Sequence, residues 1–402
     1  MDDQKNLIAA AGLSFLVILA WTFFFAPPPP DPVAVEQTAG SSAGVSPQVG
    51  GATVPAGAPG LDGDTREAAL GQAERIKIET PSLSGSLSLR GGRIDDLHLT
   101  QYRETLDPES DTVTQLSPVG SAHPYFAVYG WLNAEGGTAR TPEPNTEWSV
   151  ESGSTLAPGQ PITLAWDNGE GLTFRRRIEV DDRYMFTVAQ SVENATDATL
   201  SLAPYGYIAR RGEPETINFF ILHEGAIGVI DGELKELDYD DLADLPVSGP
   251  STRQERVSAT QSGFAGFTDK YWMTTLAPGP GVAFDVAYKF VQRATGPEYR
   301  TEAILPAREV SPGATAEVST YLFSGAKAFD AIHGYQETLG IDRFDDSIDW
   351  GRFFFLTKPI FKLLLWVQGF IGNMGWSIIV LTLIIKAVLF PLAYKSYVSM
   401  SK

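Results

Sequence analysis

Cysteine is absent from the 402 residues. That excludes disulfides, cysteine-ligated zinc and thiol catalysis, and leaves the redox compartment unspecified. Histidine is scarce: His98, His123, His223 and His333 stand far apart, without the short spacing of a metal-ligand pair on one helix or hairpin. No metal site and no cofactor is expected. Positive charge is also in short supply. Lys and Arg total 30 against 49 Asp and Glu, a net charge of −19, which excludes a nucleic-acid partner because phosphate binding needs concentrated Lys and Arg. Apolar residues are not lacking. They make up 43% of the chain, enough for a large core plus membrane segments, and the length allows about one to three domains.

Residues 7–26, LIAAAGLSFLVILAWTFFFA, carry no charge. About 20 such residues at roughly 1.5 Å rise each span a hydrocarbon core of about 30 Å. A cleaved signal peptide would show a basic leader, a shorter apolar core and a small-x-small cleavage site. Here the leader is Met1-Asp2-Asp3-Gln4-Lys5-Asn6, and bulky Trp21 to Phe25 fill the cleavage region. Residues 1–26 therefore read as a retained transmembrane anchor, with Lys5 set against two aspartates and orientation left open. From Pro27 to Gly60 the chain has no aromatic residue, Leu, Ile, Lys or Arg. Such composition cannot bury enough surface to offset ordering entropy, so residues 27–73 read as a disordered tether, stiff at its proline start.

Residues 74–325 show period-two alternation between turn clusters. Leu83, Leu87 and Leu89 alternate with serines before a turn at Gly91-Gly92. Phe174, Ile178 and Val180 run to Asp181-Asp182, and Tyr184, Phe186 and Val188 return, a hairpin pattern. Further strands are expected over 281–291 and 316–323, and a helix over 326–339 within a short connector, 326–349. Short strands over roughly 250 residues predict a large antiparallel sandwich. No catalytic constellation stands out. His223 and Glu224 are the most tempting pair, but neighbours on a strand point to opposite faces, so they read as two surface loop residues. Arg175-Arg176-Arg177 reads as a solvated strand face. The aromatic stretch from Phe264 to Trp272 reads as core packing.

Two apolar stretches close the chain. Residues 350–371, WGRFFFLTKPIFKLLLWVQGFI, hold Lys358 and Lys362 four apart on one helical face. Two lysines inside a span would be costly, so this segment reads as an amphipathic helix in the membrane interface, lysines toward the headgroups. After a break at Gly372-Asn373-Met374-Gly375, residues 373–402 read as a transmembrane helix. Its apolar run is interrupted by Ser377, Thr382 and Lys386. A lysine at the centre of a span costs about 2.5–3.5 kcal/mol on insertion scales. Lys386 lies roughly 12 Å of helix from the polar end at Tyr394-Lys395, about twice the reach of its side chain. Such a residue belongs against protein or a water-filled cavity, and Thr382 shares its face one turn earlier. Pro391 frees the carbonyl of Ala387. Residues 394–402 contain no stop signal, so the sequence reads as ending within a helix, and a cavity facing Lys386 needs more helices than it contains.

At these residues the chain resembles the YidC membrane protein insertases of Gram-negative bacteria, within the wider Oxa/Alb insertase family. Met1-Asp2-Asp3-Gln4-Lys5-Asn6-Leu7 resembles the family's start, and Lys358-Pro359-Ile360-Phe361-Lys362-Leu363-Leu364 its amphipathic helix on the periplasmic membrane surface. Gly372-Asn373-Met374-Gly375-Trp376-Ser377-Ile378-Ile379 is similar to the entry of the second membrane helix. Phe390-Pro391-Leu392 with Tyr397-Val398-Ser399-Met400 is similar to its cytoplasmic exit. The resemblance implies a membrane-anchored, all-β periplasmic domain, a β-supersandwich like galactose mutarotase, followed by the interfacial helix and a transmembrane α-helix. It implies a multi-pass inner-membrane protein that is not an enzyme. Its partners would be nascent membrane proteins, the lipid bilayer and the Sec translocon. It also implies a hydrated, positively charged intramembrane groove, in which Lys386 takes the place of the basic residue and Thr382 a neighbouring one. The family pattern has arginine there. Lysine is a point charge that sheds its proton on burial, whereas arginine stays charged and presents a planar fork.

Two other readings compete. A membrane-anchored carbohydrate-binding or -processing protein would work through the β domain and bind sugars as a soluble fragment. A structural tether would present a partner-binding sandwich to the translocon, with crosslinks from the domain surface rather than from Lys386.

Overall fold

The computed structural model describes residues 65–214, 222–351 and 353–400; the expected anchor, the linker up to residue 64 and Lys402 lie outside the described residues. Period-two alternation builds two sheets. Among the described residues one has twelve strands and the other nine. In the larger, Leu200–Arg211 lies between Tyr125–Asn133 and Gly296–Ile304. In the smaller, Met185–Asn194 lies between Leu172–Val180 and Thr315–Ala326. Among these strands only Arg75–Glu79 with Thr155–Leu156 pair in parallel. The expected hairpin is present, with Val180 opposite Phe186 and Phe174 opposite Val192. Asp181 makes its turn, the carboxylate Oδ1 accepting from the amides of Arg183 (2.9 Å) and Met185 (3.0 Å). Inward residues of both sheets form one core, in which Leu87, Ile94, Ile178, Val188 and Leu322 have no exposure. Each such side chain contributes about 1.5–3 kcal/mol by leaving water. Phe264 and Phe267 belong to it, as the aromatic stretch predicts, while Tyr271 at its end stays exposed.

The larger sheet buries its other face too, and with charge. Arg300 lies between Glu298 (2.7 Å) and Glu302 (3.3 Å), Lys289 pairs with Glu302 (2.6 Å), and Arg211 and Arg293 reach Glu298 (2.8 and 2.7 Å). Burial pushes Glu298 up, but Arg300, Arg293 and Arg211 outweigh it and hold the carboxyl at about 2.

Arg176 corrects the reading of Arg175-Arg176-Arg177 as a solvated face. Along Leu172–Val180 alternate residues point inward, and Arg176 falls in register with Phe174 and Ile178. It is 1% exposed. Its guanidinium crosses to the larger sheet and donates to the carbonyls of Gly91 (3.2 Å), Gly92 (2.8 Å) and Tyr129 (2.6 Å), lying 4.6 Å from the Trp148 ring centroid. Burial lowers its pKa to about 10, so the charge persists at neutral pH. Gly92, at φ +56°, leaves room for this group: a Cβ there would sit 2.4 Å from Arg176 Nη1. Arg175 does lie outside, pairing with Glu151 and Glu193.

The linker reading also ends earlier than expected. Thr65 caps a short helix, α1, Arg66–Leu70. Arg66 ties it to the domain through Asp96, Ser117 Oγ (2.7 Å) and the Leu116 carbonyl (3.0 Å). Another short helix, α2, is Tyr239–Ala243. The connector holds α3, Phe329–Leu339, and a 3-10 turn, Phe344–Ser347. The helix begins three residues later than the sequence predicts because Ala326 still pairs in a strand with Trp272. The two apolar stretches form α4, Phe354–Ile371, and α5, Met374–Met400.

Arg176→Ala leaves three buried carbonyls unpaired and is expected to lower unfolding free energy by about 3 kcal/mol, against less than about 1 kcal/mol for exposed Arg175→Ala. Urea denaturation followed by circular dichroism of the two variants checks the difference.

Candidate functional site

Helix α4 ends where the sequence predicts a break. Gly372 adopts φ +69° and donates its amide to the Gln368 carbonyl at 2.7 Å. Asn373 then starts α5, its Oδ1 accepting from Trp376 N at 3.2 Å and its carbonyl from Ser377 Oγ at 2.7 Å. The helices pack on each other, and Val367, Ser377 and Leu381 are their buried positions. Each is long and apolar enough to cross a membrane by length and composition. Helix α5 continues through Pro391.

Thr382 and Lys386 lie one turn apart on α5, both exposed. The Thr382 hydroxyl donates to its own helix, at Ile378 O (2.8 Å), which satisfies it without drawing it out of the apolar flank. Leu383, Val388, Leu389 and Phe390 around them are all more than half exposed. Among the described residues no hydrogen bond or ion pair reaches the Lys386 ammonium. The structure therefore places a cation and a hydroxyl together on an apolar helix face that nothing in the described chain covers.

Lys358 and Lys362 share a helix face but not a fate. Lys362 is exposed. Lys358 turns to the β domain instead, pairing with Asp346 and lying 5.5 Å from the Trp350 ring centroid. The sequence pattern gives both lysines one role, and the structure adds an acid of the connector as a partner for Lys358. Around that pair is an aromatic joint. Phe361 of α4 packs on Trp350 (5.4 Å between centroids) and on Phe329 of α3 (5.1 Å). His333, stacked on Phe329 at 5.2 Å, holds Asp345 at 3.1 Å, whose carbonyl accepts from Trp350 Nε1 at 2.8 Å. Sequence reading missed Asp346 and Trp350. The available signal was an acidic run, Asp345-Asp346 and Asp349, directly before a basic helix.

A cleft of about 840 Å³ lies beside this joint, lined by His223, Glu236, Asp345, Asp346, Asp349 and Lys358 among others. His223 and Glu224 are loop residues, as expected, but half buried. The amide of His223 donates to Asp349 Oδ2 (3.1 Å), its ring Nε2 lies 2.9 Å from Ala226 O, and Glu224 Oε1 accepts from Lys270 N (3.2 Å). Near them is Lys327, whose ammonium donates to Thr268 Oγ1 at 2.9 Å. Burial lowers its pKa to about 8, against the opposing pull of Asp269, Asp349, Glu224 and Glu236. These groups satisfy one another and fix the loops that carry them; among the described residues no group of acids and histidines is arranged to hold a metal.

The family model of the YidC periplasmic domain matches residues 75–363. Across its whole length the chain is 50% identical to the membrane protein insertase YidC of Paracoccus denitrificans and covers 67% of that protein. It is 51% identical to that of Roseobacter denitrificans and 52% to that of Dinoroseobacter shibae, again covering 67% of each. Among solved structures it is similar to a galactose mutarotase related enzyme from Lactobacillus acidophilus at 12% identity and TM-score 0.39, over 62% of this chain and 97% of that one.

Lys327 should appear in the pH dependence of stability. Its folded pKa lies below the unfolded 10.5, so the folded state releases the proton first and stability rises with pH above about 8. From about pH 7 to 9.5 the wild type should gain about 2 kcal/mol relative to Lys327→Met. Unfolding free energies of both proteins across that range give the comparison.

Proposed function

The chain belongs to the YidC family of membrane protein insertases, and on that footing we propose that Lys386 and Thr382 are the groups through which it eases polar segments into the bilayer. It is an inner-membrane insertase of nascent membrane proteins, with its β domain in the periplasm, and not an enzyme; the sugar-processing reading of that domain has no support in its relatives. The observation that carries the proposal is the exposed ammonium of Lys386, unpartnered among the described residues, in the middle of an apolar helix with the Thr382 hydroxyl one turn away.

An incoming chain must carry carboxylates and backbone polar groups through hydrocarbon, where each unsatisfied group costs several kcal/mol. A groove holding some water and one fixed positive charge lowers that barrier without making or breaking a bond. Lys386 supplies the charge and attracts acidic segments. Thr382, its hydroxyl bonded back to the helix, lends mild polarity without a desolvation penalty of its own. Lys386 keeps a net attraction because water in the groove shares its solvation. The other walls of such a groove come from elements besides α5, and the Sec translocon is a partner on the same proposal. Residues 7–26 and α5 together make the protein multi-pass, and α4 lies in the periplasmic interface between the domain and α5.

In the full-length protein, Lys386→Ala is expected to slow insertion of substrates with acidic N-terminal tails by about tenfold, equivalent to about 1.4 kcal/mol of lost attraction. Lys386→Arg should retain the activity. Protease protection of such substrates in reconstituted vesicles reads the rate, and equal rates for Ala and wild type refute the role of the charge.

A further inference from the structure

Beyond its first turn, the surface of α4 divides by direction. At about 100° per residue, Lys358, Phe361 and Leu365 fall on one stripe, and this is the side that meets Asp346, Trp350 and Phe329. Buried Val367 marks a second stripe, toward α5. Trp366 and Phe370 fall on a third. They are 61% and 75% exposed and stack edge to face at 4.8 Å. Exposed Lys362 falls between this aromatic stripe and Lys358.

What sets the direction of that stripe is the joint. Asp346 is the only acid among the described residues paired with α4, and its carboxylate divides its two oxygens. Oδ2 accepts from Arg343 Nε at 2.5 Å, within the connector, and Oδ1 accepts from Lys358 of the helix. The Asp346 side chain is only 10% exposed, so water screens this attraction little. Phe361, three residues beyond Lys358, locks into Trp350 and Phe329 on the same side. A charge pair and a ring contact on one stripe resist rotation about the helix axis, which neither would do alone. Gly351, at φ +68°, turns the chain between Trp350 and the helix, so the connector itself imposes little.

We propose that Asp346 is a positioning residue for insertion. By holding Lys358 it fixes the roll of α4, turns the Trp366–Phe370 stripe into the bilayer, and leaves Lys362, about 60° from that stripe, as the lysine of this helix that meets anionic lipid headgroups. The β domain thereby sets the orientation of the interfacial helix, and through it the helix that carries Lys386. This inference rests on the interfacial placement of α4 proposed above.

The absence of cysteine makes single-site labelling clean. Gly369 and Phe370 are neighbours at the same height of α4 but about 100° apart; Gly369 lies on the side of Lys358, where an added Cβ meets nothing within 4 Å. In the full-length protein in phosphatidylethanolamine–phosphatidylglycerol vesicles, spin labels on Gly369→Cys and Phe370→Cys report contact with oxygen in the bilayer or with a nickel chelate in water. The expected result is a bilayer signal at 370 and a water signal at 369. Asp346→Asn and Lys358→Met should abolish that contrast, while Asp346→Glu and Lys358→Arg retain it. Lys358→Met alters only the helix surface, so loss of contrast there cannot be laid to a misfolded β domain, whose thermal unfolding serves as control. Persistence of the full contrast in both uncharged variants overturns the role of Asp346 and leaves the interfacial placement standing. Water signals at both positions in the unsubstituted protein overturn the placement, and the inference with it.

Discussion

A cation taken out of water must be given acceptors, or water must be brought to it, and the structure answers this constraint differently at each place where it arises. Between the sheets, Arg176 receives three carbonyls of the opposite sheet. The guanidinium is planar and forked, so one side chain can satisfy several acceptors at once. That is why a charge can sit within an apolar stripe of Phe174 and Ile178 and still join the two layers. Around Lys327 the acceptor is the Thr268 hydroxyl, nearby carboxylates add electrostatic pull, and the lysine meets the rest of the penalty by holding its proton less tightly. On α5, Lys386 has no acceptor among the described residues. On the function proposed for it, water in a groove takes that place.

The same principle governs the passage from domain to membrane. A domain joined to a membrane helix by a glycine turn would leave that helix free to roll. Here Asp346 and the rings of Trp350, Phe329 and Phe361 bind the first half of α4 to the domain, and the second half packs on α5. The helix is thus fixed from both sides, with its third side left apolar. An interfacial helix gains most from the bilayer when its aromatic face is turned inward, which is the physical basis for the positioning role proposed for Asp346.

Much of the architecture was legible in the residues. Alternation revealed the hairpin around Asp181-Asp182, because a strand with one buried face must repeat every second residue. Uninterrupted apolar length revealed α4 and α5, and Gly372-Asn373 their break. The errors share a cause. Arg175-Arg176-Arg177 was read as a unit, although the alternation that identified the strand also puts its middle member inside. Spacing puts Lys358 and Lys362 on one face but says nothing about an aspartate on a separate turn, so the Lys358–Asp346 pair was not legible. The short helix Arg66–Leu70 was hidden within low-complexity chain, since its stability comes from Arg66 reaching Asp96 and Leu116 rather than from its five residues.

By itself, then, the sequence determined periodicity, membrane-length helices and the anomaly of a lysine at position 386, all of which follow from local burial and the dimensions of the backbone. Only the tertiary structure decided which charges acquire partners. Arg176 gained carbonyls far along the chain, Lys358 gained Asp346, and Lys386 gained none among the described residues. Hydrophobic burial is written into a strand or helix residue by residue, but the compensation of a charge depends on which distant group the fold brings within about 3 Å of it.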